Sequence, residues 1–144
     1  PLEGVNLPGG PSRAGGGDPS VVGIGIDLAE VSRVAAALQR QSGLAARLFT
    51  ASEQAAMDLG DATSVAQRFA AKEAVMKALG VGIDSVAFTD IELSEDLGSV
   101  VLGGRARRRA SDIGAARWSL EVGVVAGPDG PVATAEAIAS SSLR

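Results

Sequence analysis

Three side chains in this sequence have the types and spacing that chemistry on a charged ligand needs. Glu73 and Lys77 stand four residues apart in the run from Arg68 to Gly82, RFAAKEAVMKALGVG. On a helix they face the same way, one turn apart. Asp27 closes the stretch VVGIGID at 21–27 and offers a second carboxylate upstream. Arg68 and Lys72 add positive charge, and Gly80 and Gly82 end the run. A carboxylate with several cations beside a glycine turn is able to hold a divalent metal and a phosphorylated ligand together. Glu followed by Lys at this spacing is also an ordinary surface pair, worth only about 0.2–0.5 kcal/mol to a helix. On spacing alone both readings stand.

Composition narrows the chemistry. The 144 residues include no Cys and no His, which excludes disulfides, thiol nucleophiles, the usual zinc sites and His-based triads. Any reaction must use Asp, Glu, Lys, Arg, Ser or Thr. A net charge of −4 and a pI near 4.8 argue against an indiscriminate nucleic-acid binder. With 46% hydrophobic residues, the length suits one domain with a real core. The sequence has no run of 18 apolar residues and no recognisable leader, so the expectation is a cytoplasmic protein that does not bind membranes.

The elements that must position these groups can be read in order. Residues 1–20 are rich in Gly and Pro and read as a linker, tail or remnant, with the folded domain at 21–140. In VVGIGID, Val22, Ile24 and Ile26 alternate with Gly23, Gly25 and Asp27, the period of a strand with one apolar face. The two glycines on its other face let a helix or another backbone approach closely. Leu28 stands where a dinucleotide fingerprint needs its third glycine, so that motif is rejected.

From Leu28 to Gln41 the apolar spacing predicts a helix, with Arg33 and Arg40 off its stripe. Thr50-Ala51-Ser52-Glu53 has the form of a capping box that starts a short helix. Asp61 or Thr63 caps the long helix. On that helix Val65, Phe69, Val75, Met76 and Leu79 gather on one side and Ala70, Ala71, Ala74 and Ala78 on the other. A helix apolar on both sides is covered on both sides.

A hairpin follows from Val86–Ser94 and Ser99–Leu102. Next comes a short helix at 103–114 carrying Arg105, Arg107, Arg108 and Arg109, which reads as a solvated face or an anion contact. Two strands, Arg117–Val125 and Val132–Ile138, are joined by Gly127-Pro128-Asp129-Gly130. The whole predicts an α+β domain, an antiparallel sheet packed on a long central helix, with the first strand joining strands of the second half.

VVGIGIDLAEVSRV at 21–34, LFTASE at 48–53, RFAAKEAVMKALGVGI at 68–83 and FTDIEL at 88–93 resemble, in order and spacing, the holo-acyl-carrier-protein synthase type of 4′-phosphopantetheinyl transferase. The resemblance implies that family's fold and a magnesium-dependent transfer of phosphopantetheine. The arm passes from coenzyme A to a serine of an acyl carrier protein in fatty acid or polyketide-type biosynthesis, releasing 3′,5′-ADP. It also implies Asp27 and Glu73 as magnesium ligands and Lys77 as a phosphate contact, with all three catalytic. Arg68, with Gly80 and Gly82 of the glycine turn, falls on the coenzyme side, and Arg33, Arg40, Gln41 and Arg47 become contacts for the acidic carrier protein. The family works as a homotrimer with sites at subunit boundaries.

One position departs from the pattern: Glu121-Val122 stands where the family usually has a His that helps to bind the coenzyme's 3′-phosphate end. That departure leaves a second possibility, an impaired homologue that binds a carrier protein without modifying it.

Overall fold

In the computed structural model, which describes residues 19–82 and 84–142, the three-stranded sheet and the first helix are laid on one helix, α4 (Ala62–Ala78). The expectation for residues 1–20 falls almost wholly outside the described residues. Asp61 caps α4, its Oδ1 accepting from the Ser64 amide at 3.2 Å. The far end closes on Gly80 at φ +69°, with Gly80 N–H donating to Lys77 O and Val81 N–H to Met76 O. This is a Schellman-type stop that glycine adopts without strain. Both sides of α4 are buried, as its sequence requires: Val65 packs with Leu48 and Phe49, while Ala70, Ala71, Ala74 and Ala78 join the main core.

β1 (Val21–Glu30), β5 (Gly130–Ser140) and β4 (Arg117–Gly127) form an antiparallel sheet in the order β1-β5-β4. Its inner face is lined by Ala133, Ala135, Ala137 and Ala139, all buried. Gly23 and Gly25 share that face, and a Cβ on either would stand 1.9 Å from a carbonyl oxygen of α4, of Ala78 and Ala74 respectively. No side chain fits there, so the glycines let strand and helix touch backbone to backbone. The glycine face is thus covered within the chain. Ile24, Ile26 and Leu28 lie on the opposite face and are 58–65% exposed, the reverse of where hydrophobicity alone would put them.

The remaining elements are small. α1 (Val31–Arg40), α2 (Leu44–Leu48) and α3 (Ala51–Ala56) follow β1. The predicted helix from Leu28 therefore starts three residues late, because Leu28–Glu30 pair with Val132–Thr134 of β5 and extend the strand. α3 begins with the expected capping box, in which Glu53 N–H donates to Thr50 Oγ1 and Thr50 N–H to Glu53 Oε1. α2 was not legible in the sequence.

The hairpin forms from β2 (Ile91–Leu93) and β3 (Val100–Leu102) as a separate two-stranded sheet. Phe88–Asp90, expected in its first strand, is instead a 3₁₀ turn held by Asp90 N–H to Ala87 O. α5 (Gly104–Ile113) is the predicted arginine-rich helix. Among the described residues no helix is long and apolar enough to cross a membrane.

Candidate active site

Strand and helix run antiparallel here, and their repeats nearly match. Two strand residues advance about 6.6 Å and four helical residues about 6 Å. Gly23 meets Ala78 and Gly25 meets Ala74, so the next step along β1 brings Asp27 against the turn that carries Glu73. Lys77 reaches across and its Nζ donates both to Asp27 Oδ1 and to Ile26 O, each at 2.9 Å. Lys77 thus turns to Asp27 rather than to Glu73, its sequence partner.

The electrostatics of this cluster are unbalanced. Asp27 is buried, and its Oδ2 has no hydrogen-bond partner. A buried carboxylate oxygen without a donor is costly. The neighbouring Glu73 has another carboxyl to offer, and the two can share a hydrogen bond only when one of them carries a proton. Burial, then the Asp27 charge and a shared hydrogen bond, raise Glu73 to about 7, with Lys77 opposing the shift. Two carboxylates that cannot both be comfortably ionised are a natural seat for a hard cation. Among the described residues no group of three or more Asp, Glu, His or Cys could hold a metal. A cation here would complete its shell with water or ligand oxygens, as magnesium commonly does. A cavity of about 200 Å³ lined by Glu73, Met76, Lys77, Val81 and Gly82 opens beside the cluster.

The structure therefore brings together Asp27, Glu73, Lys77 and Gly82. Gly80 shapes the turn at the end of α4. Arg68 is elsewhere: its guanidinium is 4% exposed, donates to Glu95 O at 2.9 Å and lies 3.7 Å from Glu53 Oε2. The larger cleft that it lines, about 300 Å³, also contains Glu53, Glu92 and Glu95. An anion there would meet three carboxyl groups against one guanidinium, so Arg68, expected on the coenzyme side, is not part of this cluster.

Arg33, Arg40, Gln41 and Arg47 are all exposed on α1, its C-terminal end and α2. Arg33 pairs with Glu30 at 3.2 Å, and Arg47 donates to Gln41 Oε1. Glu121 lies on the open face of the sheet in one row with Ile26 and Glu136, whereas Val122 shares the row of Asp27 and Ala135. The acidic side chain thus faces away from the cluster.

Arg109, read from the sequence with its neighbours as a solvated face or an anion contact, instead turns inward, and its Nε donates to Leu79 O. The signal was its helical spacing from the buried Ala106 and from Ile113, which is packed against the core.

Comparison with known proteins identifies the family and the fold. The family model described as the 4′-phosphopantetheinyl transferase superfamily matches residues 23–134. The holo-[acyl-carrier-protein] synthase of Streptomyces coelicolor is 39% identical over 122 residues, covering 81% of this chain and 98% of that protein. Among solved structures, the acyl carrier protein synthase of Plasmodium yoelii with ADP bound superimposes with a TM-score of 0.76 at 25% identity. That match covers 88% of this chain and 99% of the other. The Helicobacter pylori holo-[acyl-carrier-protein] synthase in complex with coenzyme A superimposes with a TM-score of 0.63 at 26% identity, covering 81% and 98%.

Proposed function

We propose, from the premise that the chain belongs to the 4′-phosphopantetheinyl transferase superfamily and is an enzyme of that kind, that it moves phosphopantetheine from coenzyme A to a serine of an apo acyl carrier protein. The serine oxygen forms a new bond to the β-phosphorus of the coenzyme's diphosphate. The bond from that phosphorus to the bridging oxygen breaks, and 3′,5′-ADP leaves. The observation that carries this reading is the donorless, buried Oδ2 of Asp27 beside the raised carboxyl of Glu73, on the rim of a cavity with Lys77.

In this reading Asp27 and Glu73 hold Mg²⁺. When bound, it neutralises the diphosphate so that a hydroxyl can approach. Lys77, fixed by Asp27 Oδ1 and Ile26 O, directs an ammonium at charge that grows on the departing group. Glu73 accepts the serine proton. The nucleophile comes from the partner, so the lack of Cys and His is no obstacle. Arg68 is left out of this site.

The exposed Arg33, Arg40, Gln41 and Arg47 form the docking surface for an acidic carrier protein of the fatty acid or polyketide type, in a cytoplasmic setting. The open face of Ile24, Ile26 and Leu28 is where copies of the chain close into a trimer.

The test is a mixture of the chain with apo carrier protein, coenzyme A and Mg²⁺. The carrier protein gains the mass of one phosphopantetheine. A stable complex of the two proteins without that gain would overturn the reading.

A further inference from the structure

Of the four arginines in α5, Arg105, Arg107 and Arg108 are exposed, while Arg109 is turned toward α4. Its Nε donates to Leu79 O at 2.8 Å, and its Nη2 lies 3.3 Å from where a Cβ on Gly80 would stand. Leu79 is fully buried and is the C-cap of α4. Its carbonyl is one of the groups that a helix C-terminus leaves without an intrahelical partner. The amides of Gly80 and Val81 serve the carbonyls of Lys77 and Met76, and Arg109 serves that of Leu79.

This end of the helix bounds the cavity that contains Lys77, Val81 and Gly82. A helix C-terminus carries roughly half a negative charge. Phosphates are ordinarily received at the opposite end, where free N–H groups and the positive pole face them. A diphosphate bound in this cavity therefore approaches the unfavourable pole of α4. We propose that Arg109 is a positioning residue that corrects this: its guanidinium offsets the negative end of the dipole and pins the Gly80–Gly82 turn, so that Lys77 and the turn present a surface that accepts a diphosphate. This rests on the reading that the cavity takes coenzyme A.

The test is calorimetric titration of coenzyme A into the whole chain and into R109M, R109K and R108M, with melting temperatures and steady-state kinetics alongside. R109M binds coenzyme A about tenfold more weakly. R109K, which keeps the charge but not the planar fork, binds about threefold more weakly. R108M, on the exposed side of the same helix, binds within twofold of wild type. KM for coenzyme A rises in R109M while KM for the carrier protein stays put.

Equal binding by R109M and wild type, or an equal loss in R108M, overturns the proposal. So does a parallel rise in both KM values, which would mark general damage. Should R109M not fold, R109K against R108K decides by the same threefold criterion. Wild type that binds no coenzyme A defeats the reading of the cavity itself, and Arg109's role falls with it. Normal wild-type binding with no effect at position 109 defeats Arg109 alone.

Discussion

Lys72 and Glu73 are neighbours on α4, yet they belong to two charge clusters of opposite character. Lys72 is fully buried, and its three N–H donors go to Leu48 O at 2.8 Å, Phe88 O at 3.1 Å and Glu53. Glu53 in turn accepts from the Thr50 and Leu93 amides and pairs with Arg68. Burial pushes the Lys72 ammonium below its usual range, and Glu53 pulls it back. Every charge there has its partners, and the cluster ties α3 and the 3₁₀ turn to α4. Across the helix, Asp27 Oδ2 has no donor, Glu73 is raised to about 7 and Lys77 is half exposed. Satisfied charges hold the fold together, whereas unsatisfied charges at a cavity keep free energy in reserve for a ligand.

The sharpest way to break this contrast is to neutralise one carboxylate on each side. Glu73→Gln lowers kcat about a thousandfold, roughly 4 kcal/mol of transition-state stabilisation, with folding intact. Transfer at near wild-type rate would remove Glu73 from the site. Glu53→Gln does the opposite. It leaves a buried ammonium short of its counter-charge and costs about 3 kcal/mol of unfolding free energy in urea titrations. The rate per folded molecule stays near wild type. A normal melting temperature with lost transfer would exchange the roles of the two clusters.

A smaller effect separates them by pH. In metal-free protein, Glu73 protonates near 7 when folded and near its ordinary 4.5 when unfolded. Below about 4.5 both states carry the proton and the group costs nothing. As pH rises through about 7, the folded state must ionise Glu73 beside Asp27, so stability falls across that window. Glu73→Gln removes the penalty. Allowing for screening at a half-buried position, the variant gains about 1 kcal/mol over wild type at pH 8 and nothing at pH 4. Denaturant titrations with a chelator present measure this, and equal behaviour at both pH values would contradict the shared carboxyl environment.

What the sequence made legible was local. The capping box at Thr50–Glu53, the Asp61 cap and the Gly80 stop depend on near neighbours, and all three form. Asp27, Glu73 and Lys77 stood out because a glycine-faced strand and a two-sided helix leave few places for charge. Period-two alternation gives a strand two faces without saying which turns inward. In β1 backbone contact with α4 decided it, and Ile24, Ile26 and Leu28 went outward. The network of Glu53, Arg68 and Lys72 joins residues 15 or more positions apart and reaches the backbone of Leu93 and Glu95. Nothing in the spacing of Arg68 and Lys72 distinguishes such burial from a phosphate contact.

The most direct test of the cluster as the seat of chemistry uses Asp27→Asn, which keeps shape and removes one charge. Apo carrier protein, coenzyme A and Mg²⁺ are incubated with equal folded amounts of wild type and variant, and the carrier protein is weighed by mass spectrometry over time. Wild type adds one phosphopantetheine, and Asp27→Asn adds it at least a hundredfold more slowly. Equal rates would mean that the donorless carboxylate oxygen on β1 has no part in the reaction.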